Sequence, residues 1–250
     1  MEVLGIDIGG SGIKGGIVDT EKGEMIGERF RLDTPQPARP DPVAEIVRAI
    51  VQHFEWKGMV GVGFPGVVRH SIVYDVPNLH NKSWKGINID ALLQKYTGLK
   101  VKVVNDADAA GLAEMRKGAG MGRENGVVLM LTLGTGIGSA IFVDGHLLPN
   151  VEFGHLELNG KEAEKRASAA VKEEKKLSWE EWGIRLNEYF QHVEKLIYPD
   201  LIIVGGGVSN KYDQFRKYIH VEAEIVPAKF LNNAGIIGAA MVAAEANSEE

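Results

Sequence analysis

The segment Asp7-Ile-Gly-Gly-Ser-Gly-Ile-Lys-Gly-Gly-Ile-Val-Asp19 recurs in altered form as Thr132-Leu-Gly-Thr-Gly-Ile-Gly-Ser-Ala-Ile-Phe-Val-Asp144. A chain that carries such a unit twice is built as two related halves. In both copies an apolar run breaks into glycines with one hydroxyl residue (Ser11, Thr135) and resumes as an alternating apolar run. That pattern reads as strand, tight turn, strand. Glycine lets a backbone turn sharply and bring its N–H groups close to an anion, so each copy reads as a phosphate cradle. Two cradles point to phosphoryl transfer.

At 250 residues and 44% hydrophobic content the chain can bury one large core or two modest ones, and the repeat favours two lobes. The expected division is 1–107 plus 236–250 against 108–235. With no cysteine, disulfides, thiolate metal sites and cysteine nucleophiles are removed together, which fits a reducing cytoplasm. Val3 to Asp7 already reads as a strand, and no run approaches the roughly 18 apolar residues of a membrane span. A soluble, cytoplasmic protein without membrane partners is therefore expected. The net charge of −6 argues against nucleic acid as a partner, so a polyanion has to be held by local basic groups or backbone amides.

Along the chain, strands alternate with helices, which predicts an α/β fold with mixed sheets flanked by helices. Asp41-Pro42 opens a helix whose apolar residues run from Val43 to Phe54 at helical spacing. Strands are predicted at 59–63, 101–104, 127–133, 137–143 and 201–204, and helices from Asn88 to Tyr96 and from Asp106. One charged helix is expected from Lys161 to Lys176, another behind the Ser178/Glu181 capping box, a third from about Asn210 and a small-residue helix from Gly235 to Ala246.

Gly10 to Gly15 and Gly61 to Gly66 both match G-x-G-x-x-G, yet neither opens a helix, as the dinucleotide fingerprint must. No Walker A sequence is present. The three glycine turns, the third being Gly205-Gly206-Gly207, are read as phosphate sites or as plain structural turns. Lys14 is either a charge on that phosphate or a solvated strand lysine. Asp7 lies where a carboxylate can orient the water shell of Mg2+.

Asn105-Asp106 closes a strand where open α/β sheets place ligands. Asp106 there is a plain Asx helix cap or a base that accepts the proton of an attacking hydroxyl; Asp108, inside the helix, ranks below it. Glu152-Phe-Gly-His155-Leu-Glu157 gathers two acids and a histidine. Without cysteine or a second nearby histidine a full zinc set cannot be assembled locally, and hydrogen bonding to a polyhydroxylated ligand is favoured, with Asn78 and Asn105 as further partners. The segment Lys161 to Lys176 is a solvated, ion-paired helix or a basic stripe for a long polyanion.

Together the Asp7 segment, Asn105-Asp106, Leu133-Gly-Thr-Gly-Ile-Gly138, Glu152 to Leu158 and Gly205-Gly-Gly-Val-Ser209 resemble the ROK sugar kinases. Leu148 to Ser168 and Ser178-Trp-Glu-Glu-Trp182 resemble, more narrowly, the polyphosphate glucokinases among them. The resemblance implies a two-lobed actin-like ATPase fold of the ribonuclease H type, usually homodimeric. It implies Asp106 as the base on the sugar 6-hydroxyl, with Gly66, Asn78, Asn105, Glu152, His155 and Glu157 around a glucose or mannose. It further implies Gly9, Gly10, Ser11, Gly12, Lys14, Thr135, Gly136, Gly206 and Gly207 on a polyphosphate or ATP donor, and Asp7 on Mg2+. The wider family's zinc-binding cysteine cluster is missing, as it is in polyphosphate glucokinases, so no zinc is expected. Sugar-sensing repressors of this family carry a helix-turn-helix before the first cradle, for which this chain leaves no room; a sugar-independent actin-like ATPase is the other alternative. Asp7 and Lys14 in the first repeat stand against Thr132 and Ser139 in the second, which makes the pair of cradles a polarised clamp.

Overall fold

Each copy of the glycine hairpin seeds a five-stranded sheet, and the two sheets share one topology. The computed structural model describes residues 1–77 and 79–248. In the first half β1 (Glu2–Ile8), β2 (Gly12–Asp19) and β3 (Glu24–Asp33) form an antiparallel meander. After α1 (Pro40–His53) come β4 (Val60–Phe64), a small hairpin of β5 (Val67–Arg69) and β6 (Ile72–Asp75), α2 (Asn81–Trp84), α3 (Ile89–Thr97), β7 (Val101–Asn105) and α4 (Asp106–Lys117). β4 pairs parallel to β1, and β7 parallel to β4, giving the order β3-β2-β1-β4-β7.

In the second half β8 (Val127–Leu133), β9 (Ile137–Val143) and β10 (His146–Leu148) repeat the meander. A two-stranded ribbon of β11 (Glu157–Leu158) and β12 (Lys161–Glu162) precedes α5 (Glu164–Ala167), α6 (Ala169–Glu174) and α7 (Trp179–Ile197). Then β13 (Leu201–Gly205), α8 (Tyr212–Phe215) and β14 (Glu224–Pro227) follow, with β13 parallel to β8 and β14 parallel to β13. The order β10-β9-β8-β13-β14 thus copies the first sheet strand for strand. The final helix is α9 (Ala234–Ser248).

The chain divides into residues 1–113 with 233–250 and residues 114–232, not at the expected 107/108 and 235/236. The first turns of α4 belong to the first unit because Ala109 backbone lies against Gly238 of α9, where a Cβ would collide. In that unit Leu4, Ile6 and Ile8 face a core shared with Val43, Val47 and Ile50 of α1 and with Ile89 and Leu93 of α3. On the other side of the sheet α9 approaches to backbone contact, since a Cβ on Gly5 or Gly61 would strike the carbonyl oxygens of Ile236 and Ala239. In the second unit Leu129, Leu131, Ile202 and Val204 pack with Trp182, Leu186, Phe190 and Val193 of α7. The fully buried Glu114 carboxylate belongs to this unit and accepts three amides, from Ala119 (2.8 Å), Lys229 (3.0 Å) and Phe230 (2.8 Å).

Several expectations are corrected. α1 starts at Pro40, with Arg39 as its cap residue, so Asp41 sits in the first turn. The single helix expected from Lys161 to Lys176 is a ribbon strand and two short helices. Ser168 breaks it by taking an extended conformation and accepting the Val171 amide on its hydroxyl. No regular helix starts at Asn210: residues 207–218 run through two 3-10 turns with the single turn of α8 between them. β3 is not anticipated, although Phe30 and Leu32 alternate there with Arg29, Arg31 and Asp33. The capping box of α7 and the Asn88 and Gly98 caps of α3 stand where expected.

Candidate functional site

In the first unit three parallel strands end side by side, and their register sets Asp7 against Gly63 and Gly63 against Val104. A Cβ on Gly63 would lie 3.7 Å from the Asp106 Cα and 3.8 Å from the Asp7 Oδ1. The missing side chain therefore leaves a gap bordered by the two residues expected to do chemistry. Asn105 is buried, its Oδ1 accepting the amides of Ala107 (2.9 Å) and Asp108 (3.0 Å) and its Nδ2 donating to the Gly66 carbonyl (3.1 Å). Asn105 is thus the cap of α4 and the anchor of the Gly66 loop. Asp106 also accepts the Ala107 amide (2.8 Å) but is only part-buried, carried at the carboxyl end of the sheet on the first turn of α4. Asp108 is buried inside the helix.

Asp7 pairs across the hairpin with Lys14, Nζ lying 3.6 Å from Oδ2. Burial pushes the Asp7 carboxyl above its ordinary 3.8, and the lysine beside it pulls the other way. Gly235, in the first turn of α9, is so close that a Cβ there would lie 3.1 Å from the carboxyl carbon. The first glycine turn is fixed by its carbonyls: Thr34 Oγ1 donates to Gly9 (2.5 Å), Gln36 Nε2 to Gly10 (3.3 Å) and Arg31 Nη2 to Ser11 (3.0 Å). Among the described residues the amides of Gly10 and Ser11 carry no hydrogen bond. Gly12 lies against the Arg31 guanidinium. Donors are thus free on a loop whose acceptors are occupied, next to Lys14 and Arg31, and that arrangement suits an anion.

The second turn is built differently. Gly134 donates to the Gly136 carbonyl (3.0 Å) and accepts the Ala170 amide (3.1 Å), while Ile137 donates to Glu164 Oε2 (3.4 Å). Thr135 is exposed at the tip, and the Glu164 carboxylate lies where a Cβ on Gly136 would sit. β13 delivers the third glycine turn beside it, since Gly205 pairs with Thr132. Gly206 has φ +85° and touches the Leu133 backbone, a place only glycine takes without strain, and Gly207 is exposed. These loops line a cavity of about 490 Å³ together with Lys172, Trp179 and Lys211.

Ser139 does not stand in for Lys14. The first hairpin pairs Asp7 with Lys14 and the second pairs Thr132 with Gly138, a register one residue tighter, which turns Ser139 to the opposite face. There it is buried, donates to the Val151 carbonyl (2.7 Å) and accepts the Phe153 amide (2.9 Å). This clamp holds the segment bearing Glu152 and His155. His155 Nε2 lies 4.0 Å from Glu152, and its Nδ1 lies 3.5 Å from Glu162. Glu157 is exposed on β11 and lines, with His155, Lys161, Glu162 and Lys165, a second cavity of about 620 Å³. Lys165 hydrogen-bonds Glu162 and holds its carboxyl below the ordinary range, with His155 adding to the effect. Among the described residues His155, Glu162 and Glu164 offer ligand atoms within 4.8 Å of one another. Asn78 lies outside the described residues.

The expected residues therefore gather in two groups, one in each unit, with each unit's glycine turns at the carboxyl ends of parallel strands. The profile of the ROK family matches residues 3–169. The chain belongs to the ROK family. Among ROK relatives it is 49% identical to a polyphosphate glucokinase of Mycobacterium tuberculosis, over 95% of this chain and 89% of that one. It is 46% identical to a polyphosphate glucokinase of Mycobacterium leprae, over 95% and 73%. The structure of an inorganic polyphosphate/ATP-glucomannokinase from Arthrobacter sp. strain KM superposes with a TM-score of 0.94 at 51% identity, covering 98% of this chain and 99% of that one. A ROK glucokinase from Streptomyces griseus, solved with glucose and AMPPNP, gives 0.85 at 25% over 98% and 100%. The fold is accordingly the actin-like ATPase fold of the ROK sugar kinases.

In this ROK chain several site residues escape sequence reasoning. Arg31, Thr34 and Gln36 lie on and just after the unanticipated β3, where the alternation of Phe30 and Leu32 was the available signal. Glu162, Lys172 and Trp179 lie in stretches the sequence singles out, Leu148 to Ser168, Lys161 to Lys176 and Ser178 to Trp182, but only the fold sets Glu162 beside His155 and Lys172 over the Trp179 ring.

Proposed function

We propose that this ROK protein transfers a phosphoryl group to the 6-hydroxyl of glucose from inorganic polyphosphate or ATP. What carries the reading is its 49% identity to a polyphosphate glucokinase along 95% of the chain, together with the Asp106 carboxylate set beyond the Asn105 cap. Asp106 accepts the O6 proton as O6 attacks the terminal phosphorus. The bond from that phosphorus to its bridging oxygen breaks, leaving ADP or a polyphosphate one unit shorter. Gly66 and Asn105, and likewise Glu152, His155 and Glu157, take the remaining hydroxyls in this reading; bidentate carboxylates and amides suit a sugar. The amides of Gly10 and Ser11, with Gly9, Gly12 and Lys14, take the transferred phosphate, and Thr135, Gly136, Gly206 and Gly207 take the rest of the donor.

Asp7 fits a hydrated Mg2+, which binds through one or two carboxylates and keeps most of its waters: one oxygen faces Lys14 and the other the gap over Gly63. The ion would supply positive charge to the donor phosphates. Mannose as a second substrate is supported by the glucomannokinase relative. A homodimer in the cytoplasm is the expected setting; among the described residues no helix is long and apolar enough to cross a membrane. A coupled assay for glucose 6-phosphate, run with polyphosphate and with ATP, tests the reading. Product from at least one donor is expected, and none from either would overturn it.

A further inference from the structure

The cavity of about 490 Å³ in the second unit begins at Gly134, Thr135 and Gly207, where the donor phosphates are placed above, and extends to Lys172, Trp179 and Lys211. Ala169 and Ala170 keep its wall low. Trp179 is the flat apolar surface in this lining, its ring set by an edge contact with Trp182 (5.9 Å) and a stacked one with Phe215 (6.3 Å). Lys172 Nζ sits over that ring, 4.0 Å from its centroid. An ammonium at this distance makes a cation–π contact and covers the plane on which a base would stack. The lining also includes Lys211, exposed, against one acid, Glu173, so its charge favours a polyanion.

We infer that Lys172 selects between donors, swinging from Trp179 to pair with a phosphate chain and, from its seat on the ring, obstructing a nucleoside. The inference rests on the donor reading above. A charge-assisted bond to phosphate exceeds a half-exposed cation–π contact, so a chain of phosphates draws the ammonium off the ring at a gain. A base gains no such pair and must displace the lysine to reach the indole.

The test compares the wild type with Lys172→Ala and Lys172→Arg. Catalytic efficiency is measured with long-chain polyphosphate and with ATP, and calorimetry measures polyphosphate and ADP binding in the absence of glucose. In Lys172→Ala the ratio of polyphosphate to ATP efficiency falls about tenfold, the size of one charge-assisted contact. Polyphosphate binding weakens in parallel, ADP binding holds or tightens, and the KM for glucose stays put. Lys172→Arg keeps the wild-type ratio. An unchanged ratio, or an equal loss with both donors, overturns the inference. Should the wild type phosphorylate glucose from neither donor, the functional reading fails; Lys172-dependent polyphosphate binding by calorimetry then still supports the role of the lysine, and its absence overturns that too.

Discussion

Lys14 faces Asp7 across the first hairpin at 3.6 Å, and the pair at the same place in the second hairpin is Gly138 and Thr132. The charged pair belongs to the half of the molecule that also carries Asp106. The other half holds only Thr132 there, with a carboxylate, Glu164, beneath its turn. The duplication has kept the sheet and given the two cradles different chemistry.

Asp7 carries a stability cost that its replacement reveals. Burial raises its folded pKa, so between the unfolded value near 3.8 and the folded one the native state binds the extra proton. Stability therefore falls as pH rises through that window and stays lowered above it. Asp7→Asn is expected to raise the thermal midpoint at neutral pH, with the difference from wild type vanishing in acid below the unfolded pKa. Its turnover is expected to drop by about 10²-fold from lost charge placement. Melting curves across pH, read with kcat, check both.

Asp106→Asn keeps the shape and the Ala107 contact but cannot take a proton. Turnover is expected to fall by about 10²- to 10⁴-fold while glucose binding persists. Stopped assays with either donor, and calorimetry with glucose, separate the two; wild-type turnover would end the assignment of the base.

Ser139→Ala strips the Val151 carbonyl and the Phe153 amide of their partner. A loss of about 1–3 kcal/mol in denaturant unfolding is expected. Because the freed segment carries Glu152 and His155, the KM for glucose should rise more than kcat falls.

Glu114→Ala leaves three amides, those of Ala119, Lys229 and Phe230, without their carboxylate. The expected cost is about 3 kcal/mol or more, and Glu114→Gln, which keeps one acceptor oxygen, should lose less. Urea titrations of both variants decide it.

Much of the fold was legible in the chain. The paired glycine hairpins, the capping box at Ser178 and the runs at 127–133 and 201–204 declared themselves because turn chemistry and apolar period act over a few residues. Asn105-Asp106 stood out for the same reason, though only the geometry assigned the cap chiefly to Asn105. β3 lies at a sheet edge, where exposure weakens the apolar signal, and the segment from Lys161 to Lys176 is not one helix because Ser168 takes a cap conformation in place of the helix interior.

The sequence by itself determined the duplicated hairpin, the α/β alternation and the family. Tertiary structure decided the rest. A one-residue change of register turned Ser139 from a cradle position into a buried clamp, because side chains alternate faces along a strand. Arg31 reached the first cradle through sheet pairing, Thr34 by following directly on that strand, and Lys172 came to lie over the Trp179 ring. Such contacts join residues whose neighbours in sequence say nothing of each other, and only a packed chain brings them together.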